Sequence, residues 1–165
     1  MATRSKSSPP MTGSSSPFEA MKHVLGLRAA ASEFPRLIEF AEEFACRCDL
    51  SEDEKSRLLI ILEELFTNAV DHGYPGGGEP GRIEIALAAK PGRLEIDYCD
   101  DAIPFDPLAC ELPEIDRSSG VGRIGGEGLR IVRSLVHEAR YSRRGGCNRL
   151  TLARRLNARR RQLSG

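Results

Sequence analysis

Three polar residues recur at every fourth position along one segment of the chain: Glu64, Asn68 and His72. At this spacing they lie along one stripe of a helix. Asparagine is a poor helix former because its side chain competes for backbone hydrogen bonds, so Asn68 indicates a use for its amide oxygen. That oxygen is a suitable ligand for Mg²⁺, and the Glu64 carboxylate one turn earlier could accept a proton. A solvated helix face is the alternative interpretation.

A second polar group follows a strand-like segment, in the sequence DDAIPFDPL, and contains Asp100, Asp101 and Asp106. Clusters of aspartate and proline are ordinary turn chemistry, which is one interpretation of this group. An aspartate at the end of a strand is also well placed to accept a hydrogen bond from an exocyclic amine such as that of adenine.

A third group, Gly125-Gly126-Glu127-Gly128-Leu129, directly precedes a helical pattern. A glycine-rich entry to a helix forms a phosphate site, because free backbone N–H groups and the helix dipole both face the anion. Such a pattern alone is weak, since many flexible loops contain it.

Hydrophobic periodicity predicts the elements that must position these three groups. Helices are predicted over 32–48, from 51 to 73 and over 128–137, and strands over 18–28, 82–89 and 93–99, with two final strands flanking a turn at 145–146. Ser51 and Glu54 form a capping box at the start of the second helix, and Gly73 suits its end. The order predicts a two-layer α+β fold, in which a mixed, mostly antiparallel sheet carries helices on one face.

The length and composition predict one ordered domain. The chain has 165 residues, of which 40% are hydrophobic and 29% charged. We expect a disordered Ser/Pro-rich tail over 1–17, an ordered domain over 18–154 and a basic tail over 155–165. No run of about 18 apolar residues predicts a membrane span, and no apolar signal core precedes the domain, so we expect a cytoplasmic protein. Five scattered cysteines favour free thiols over a disulfide framework or a zinc site.

The 24 basic and 24 acidic residues cancel, which argues against a general nucleic-acid binder. The charges are nevertheless unevenly distributed. Residues 33–64 hold ten acidic and four basic groups, a net of −6, and residues 117–165 hold thirteen basic and two acidic groups, a net of +11. For the arginine-rich end, a solvated face is the simpler interpretation, and attraction of phosphates or of an acidic partner is the alternative. Its arginines are Arg154, Arg155, Arg159, Arg160 and Arg161.

In this order and spacing, the three groups resemble the ATP-binding domain shared by gyrase, the heat-shock chaperone, histidine kinases and mismatch-repair ATPases. Glu64–Tyr74 resembles its N box, Asp100–Pro107 its first glycine box and Gly125–Leu129 its second. The resemblance is greatest to the bacterial anti-sigma-factor serine kinases, through E-x-x-T-N-A-x-x-H-G-Y, the F-D-P after the aspartate and the ending N-R-L-T-L from Asn148 to Leu152. It spans about residues 20–154, nearly all of the predicted domain.

The resemblance implies roles for the matching residues. Glu64 would be the general base, Asn68 would ligate Mg²⁺ bridging the ATP phosphates, and Asp100 would hold the adenine amine. Residues 107–125 would form a lid over the phosphates. The implied set that binds the cofactors ATP and Mg²⁺ is Asn68, Asp100, Ala102, Gly126, Gly128 and Leu129.

Three positions leave alternatives open. The family's usual D-x-G has become Asp100-Asp101-Ala102, and the backbone there could require a glycine conformation. Asp101 competes with Asp100 for the adenine contact, although the register of the motif favours Asp100. His72 would either cap the end of its helix or merely pack.

The resemblance implies an ATP-dependent protein serine kinase that binds a sigma factor. It would phosphorylate a serine of a STAS-type anti-anti-sigma antagonist in a partner-switching pathway, act as a homodimer and bind neither nucleic acid nor membrane. A sensor histidine kinase is a weaker alternative, because His23 lies in a strand-like segment and His137 at the end of a short helix. The third hypothesis is an ATP-binding module that sequesters its partner without transferring phosphate. Ala102, which replaces the usual glycine of the motif, is the feature that supports it.

Overall fold

The computed structural model describes residues 22–75, 79–109 and 127–156. Several sequence predictions lie outside these residues: the tail over 1–17, residues 18–21 of the first strand, the greater part of the lid, Gly125, Gly126, Cys110 and the arginines from Arg159 to Arg161. The ordered domain therefore remains a prediction at its start.

Five strands and three α-helices form the described part of the chain. They are β1 (Lys22–Arg28), α1 (Phe34–Arg47), α2 (Glu52–His72), β2 (Arg82–Lys90), β3 (Arg93–Asp100), α3 (Glu127–Leu135), β4 (Glu138–Arg144) and β5 (Cys147–Arg155), with a 3₁₀ turn at Ala31–Glu33 before α1. The strands form one sheet in the order β1-β2-β3-β5-β4. The α+β fold is thus confirmed, and every pairing between described strands is antiparallel.

Buried and more exposed residues alternate along the strands, and this alternation determines which face of the sheet packs against the helices. In β3 the residues Leu94, Ile96 and Tyr98 are buried, and the residues between them are partly exposed. The buried face packs against α1 and α2, whose largest fully buried side chains include Phe44 and Phe66. One face of the sheet therefore belongs to the core, and the other carries the intervening, more polar residues.

Two boundaries next to the last hairpin differ from the sequence prediction. The third helix ends at Leu135 instead of 137, because the backbone N–H of His137 donates to the Ala153 carbonyl at 2.8 Å and so begins the pairing of β4. His137 consequently lies in a connection and not at a helix end. At the other side of this hairpin, β5 continues through Arg155, one residue beyond the predicted domain end.

The predicted capping box at the start of α2 is only half formed. The Ser51 hydroxyl accepts a hydrogen bond from the Glu54 backbone N–H at 3.2 Å, as predicted. The Glu54 side chain does not complete the box: it is 3% exposed and pairs with Arg154, which is 6% exposed. The interpretation of Arg154 as part of a solvated basic end is therefore wrong, because its charge is neutralised inside the protein.

The Arg154 guanidinium joins three elements at one buried point. Its Nε donates to the Glu54 carboxylate at 2.6 Å and a second nitrogen donates at 3.3 Å, which ties the end of β5 to the start of α2. Its remaining nitrogen donates to the carbonyl of Leu135, the last residue of α3. Since the last carbonyls of a helix have no partner within the helix, the guanidinium also caps α3.

Among the described residues, none of the helices combines the length and the apolar character that a membrane span requires.

Removing one member of this pair should destabilise the fold strongly. We expect Glu54→Ala to lower the free energy of unfolding by about 3–5 kcal/mol, because Arg154 would remain as an uncompensated buried charge. Urea denaturation measures this change. The control is Arg47→Ala, which removes an exposed pair with Glu43 and should cost no more than about 1 kcal/mol. Equal effects of the two substitutions would contradict the structural role of the buried pair.

Candidate functional site

The Glu64 carboxylate lies directly against Gly128 at the start of α3. A Cβ atom placed on Gly128 would approach Glu64 Oε2 to 1.8 Å, so only glycine leaves the carboxylate its position. The structure therefore brings together two of the sequence-predicted site residues that are 64 residues apart in the sequence. It places a carboxylate beside the helix entry that was predicted to bind phosphate.

Asn68 lies one turn further along α2 and is partly buried, whereas His72 is exposed as the last residue of the helix. The exposed side chain of His72 is not part of the buried core. The middle of this helix is fixed against the sheet by Tyr98, whose hydroxyl donates to the Leu65 carbonyl at 3.2 Å. Leu129, another predicted site residue, is buried in the core, so its backbone alone could face a ligand.

Asp100 ends β3 with its carboxylate partly buried and held by two donors. Its Oδ1 accepts hydrogen bonds from Asn148 Nδ2 at 2.8 Å and from the Ala102 backbone N–H at 3.1 Å. Burial raises the pKa of Asp100 above its usual value, although these two hydrogen bonds oppose the shift. Both of these hydrogen bonds fall on Oδ1, which fixes the orientation of the carboxylate.

Asn148 is the residue at this end of the sheet that sequence reasoning missed. Besides donating to Asp100, its Nδ2 donates to the Ile103 carbonyl at 2.8 Å. Its Oδ1 accepts from the Arg143 guanidinium at 2.6 Å, from the Tyr141 hydroxyl at 2.8 Å and from the Phe105 N–H at 3.4 Å. One buried amide therefore holds β3, β5, β4 and the loop after β3 together.

Asp101 has a structural task of its own. Its Oδ1 accepts from the Arg82 backbone N–H at 2.7 Å and from the Tyr74 hydroxyl at 2.9 Å. Burial would raise the pKa of Asp101, but these hydrogen bonds outweigh it and the pKa is lowered. Burial and the bond to Asp101 in turn raise the pKa of Tyr74. Asp100 and Asp101 thus each have one oxygen occupied by two donors, and the preference for Asp100 as the base contact continues to rest on the register of the motif.

Ala102 does not adopt a conformation that requires glycine. Among the described non-glycine residues only Asp49 has a positive φ. The Ala102 methyl is buried and faces Gly73, where an added Cβ would lie 2.9 Å from it. Gly73 itself has a φ of −75°, so the helix does not end in a left-handed conformation. Glycine is required here because the Ala102 methyl and the Ala69 carbonyl leave no room for a side chain.

Asp106 forms the turn that its sequence context predicted. Its Oδ1 accepts from the Leu108 N–H at 2.8 Å, two residues further on. The adjacent Pro107 carbonyl accepts from the Arg133 guanidinium of α3 at 2.5 Å. The first residue of the predicted lid is thereby attached to α3, and residues 110–125 of the lid lie outside the described part of the chain.

The donor chemistry of the site fits Mg²⁺ held mainly by a phosphate ligand. Within the described ranges no group of three or more His, Cys, Asp or Glu side chains could hold a metal ion. Mg²⁺ usually takes only one or two protein oxygens together with substrate phosphates. The Asn68 amide oxygen and the Glu64 carboxylate, on one stripe of α2, supply that kind of donor.

A carboxylate beside a helix entry, an amide one turn away and a partly buried strand-end aspartate together suit a nucleoside triphosphate. The family profile of the histidine kinase-like ATPase domain matches residues 27–154. The chain belongs to the histidine kinase-like ATPase domain family, which confirms the resemblance based on the three motifs.

Two known proteins resemble this chain over most of its length. It is 29% identical over 128 residues to the serine/threonine-protein kinase BtrW of Bordetella bronchiseptica, covering 78% of this chain and 89% of that kinase. The solved structure of the RsbU and RsbW domains of Rv1364c from Mycobacterium tuberculosis superposes with a TM-score of 0.58 at 21% identity. That superposition covers 82% of this chain and 32% of the other chain, and it establishes likeness of fold.

Replacing Asn148 should loosen the whole strand-end network. We expect Asn148→Ala to lower the free energy of unfolding by about 2–3 kcal/mol, because partly buried hydrogen-bonding groups on Asp100, Ile103 and Tyr141 would lose a partner. Faster hydrogen exchange at the Phe105 amide should accompany the loss. The matched control is Thr151→Ala on the same strand, which removes only an exposed bond to Asp97. An unchanged Phe105 exchange rate would contradict the role assigned to Asn148.

Proposed function

We propose that the chain is an ATP-dependent protein serine kinase that acts as an anti-sigma factor in a partner-switching pathway. The observation that carries the proposal is the contact between the Glu64 carboxylate and Gly128, because it places a candidate base at a candidate phosphate site. The family membership and the likeness to a serine/threonine-protein kinase support it. The substrate would be a serine on a STAS-type anti-anti-sigma protein.

Phosphoryl transfer requires mainly positioning and neutralisation of charge, and each site residue has a task in it. Glu64 accepts the proton of the attacking serine hydroxyl. Asn68 would hold Mg²⁺, which supplies positive charge to the phosphates when it is bound. The backbone N–H groups at the start of α3, including that of Gly128, bind phosphate oxygens.

Asp100 would recognise the base by accepting a hydrogen bond from its exocyclic amine. The two donors on Oδ1 fix the carboxylate, so the second oxygen can face the base without first being ordered. Asn148 acts here as a positioning residue, since it holds Asp100 and the following loop and has no proposed contact with the nucleotide. Adenine carries an exocyclic amine of the kind that this carboxylate would bind.

The proposal extends to the organisation and setting of the protein. Residues 18–154 would form the kinase domain, with tails at 1–17 and 155–165. The protein would act in the cytoplasm as a homodimer and bind a sigma factor as well as its substrate. The domains named RsbU and RsbW in the structural neighbour support a regulatory setting of this kind.

The second candidate is an ATP-binding module that retains the fold and sequesters its partner without transferring phosphate. Ala102, in place of the usual glycine, is the sequence feature that favours it. The two candidates share nucleotide binding and differ only in transfer, so measurement of serine phosphate separates them.

Substitution of the proposed base should abolish transfer while nucleotide still binds. We expect Glu64→Gln to reduce phosphorylation of a candidate STAS-type antagonist by about a hundredfold or more, as loss of general-base catalysis does. Radiolabelled ATP with Mg²⁺ measures the transfer. Glu63→Gln, at the exposed neighbouring position, should leave transfer unchanged. Binding of ATP by the wild type without any serine phosphate would favour the module.

Substitution of the proposed Mg²⁺ ligand should affect nucleotide binding only when the metal is present. We expect Asn68→Ala to weaken nucleotide binding in the presence of Mg²⁺ and to leave it unchanged in the absence of Mg²⁺.

A methyl group on Gly128 should displace the Glu64 carboxylate without unfolding the protein. The added Cβ meets the flexible end of the glutamate, which can rotate away, and alanine is the better helix former. We therefore expect Gly128→Ala to keep or raise the thermal midpoint while transfer falls by about a hundredfold, as expected when the base loses its position. Gly26→Ala is the control, because a Cβ there contacts nothing within 4 Å. Full activity of Gly128→Ala would contradict the proposed geometry.

A further inference from the structure

A pair of free cysteines lies on the outer face of the sheet, behind the candidate base pocket. Asp100 of β3 pairs in register with Asn148 of β5, and both point to the inner face. Cys99 and Cys147 precede them in their strands. Because side chains alternate along a strand, both thiols point to the opposite face.

The two thiols are neighbours across the strands. Cys99 is opposite Arg149, so Cys147, two residues before Arg149, is its diagonal neighbour. Both cysteines are free and partly exposed. Burial raises the pKa of Cys99, and the interaction with the Cys147 thiol raises it further. The register therefore places the two thiols as diagonal neighbours on the same face of the sheet.

We propose that Cys99 and Cys147 form a reversible disulfide that weakens nucleotide binding at the pocket on the other face of the sheet. The disulfide itself is independent of the function proposed above, and only its effect on nucleotide affinity rests on that function.

The reaction balances with an oxidised low-molecular-weight disulfide such as oxidised glutathione. One cysteine thiolate attacks that disulfide, which forms a mixed disulfide and releases one glutathione thiolate. The second cysteine then attacks the protein sulfur of the mixed disulfide and releases the other. The protein pair loses two electrons to glutathione, and the two protons of the cysteines end on the two released glutathione thiols.

The diagonal geometry connects this bond to the pocket. Diagonal neighbours in an antiparallel pair have Cα atoms about 7–8 Å apart. A disulfide requires Cα atoms at roughly 4.4–6.8 Å, so β3 and β5 must shift for the bond to close. The residues next to the two cysteines are Asp100 and Asn148, whose hydrogen bond of 2.8 Å orients the base-binding carboxylate. A strained, exposed disulfide is also readily reduced, as a reversible switch requires.

The test uses the full chain with the other three cysteines, Cys46, Cys48 and Cys110, replaced by serine. The protein is equilibrated in glutathione buffers of increasing oxidised fraction and then analysed by intact mass and non-reducing peptide mapping. ATP affinity and hydrogen exchange at the Ala102 and Phe105 amides are measured on the same samples. These amides are bonded to Asp100 and Asn148, so their exchange reports the network without nucleotide. The matched control adds Cys147→Ser to the same background.

We expect a Cys99–Cys147 linked peptide and loss of the mass of two hydrogen atoms. ATP affinity should fall by about fivefold or more, the usual lower range of coupling between sites, and both amides should exchange faster. Dithiothreitol should reverse all these changes, and the Cys147→Ser control should show none.

Three results would overturn the proposal: absence of the linked peptide at every glutathione ratio, a linked protein with unchanged amide exchange, or a linked protein that binds ATP as tightly as the reduced protein does. If the reduced protein binds no ATP, the proposed function fails. Peptide mapping and hydrogen exchange at the two amides then still decide whether the disulfide forms and perturbs the pocket.

Discussion

The buried contact of Arg154 with Glu54 and the end of α3 sets the geometry on which the site depends. It fixes the start of α2 beside the end of α3. Glu64 lies ten residues, or about 15 Å, along α2 from this point, and Gly128 lies seven residues, or about 10 Å, back along α3. Since these two residues are again in contact, the helices run roughly antiparallel. The ion pair therefore positions the candidate base through helix geometry, although it is far from the chemistry.

The opposite end of the sheet is organised by hydrogen bonds of a single amide. Asn148 satisfies groups on two neighbouring strands and on the loop that follows Asp100. A buried amide has donors and acceptors in a fixed arrangement, so it specifies which groups approach it more strictly than an apolar residue would. The core supplies stability to both ends, whereas these two polar clusters determine where the helices and the strand-end carboxylate lie.

Much of this arrangement was predictable from the sequence because it depends on local patterns. Hydrophobic periodicity predicts the α+β class and the alternation of buried residues along the strands. The glycine pair predicts the turn between β4 and β5, where Gly145 and Gly146 both have positive φ. The partner of Glu54 was not predictable, since Arg154 is one hundred residues away and the capping box offered a local explanation. A signal did exist: Asn148 and Arg154 occupy inward positions of β5, in phase with Leu150 and Leu152.

Ala102 shows how the structure changes the interpretation of a departure from a motif. Glycine in a motif implies either a special φ or a close approach, and these two causes make different demands on a replacement. Here φ is not positive, and the space for the methyl is provided by Gly73 on the adjacent helix end. The Ala102 N–H still binds Asp100, and its carbonyl accepts from Arg143 at 3.1 Å. The alanine is therefore compatible with an ordered base pocket, and it gives no structural reason to prefer a sequestering module over a kinase.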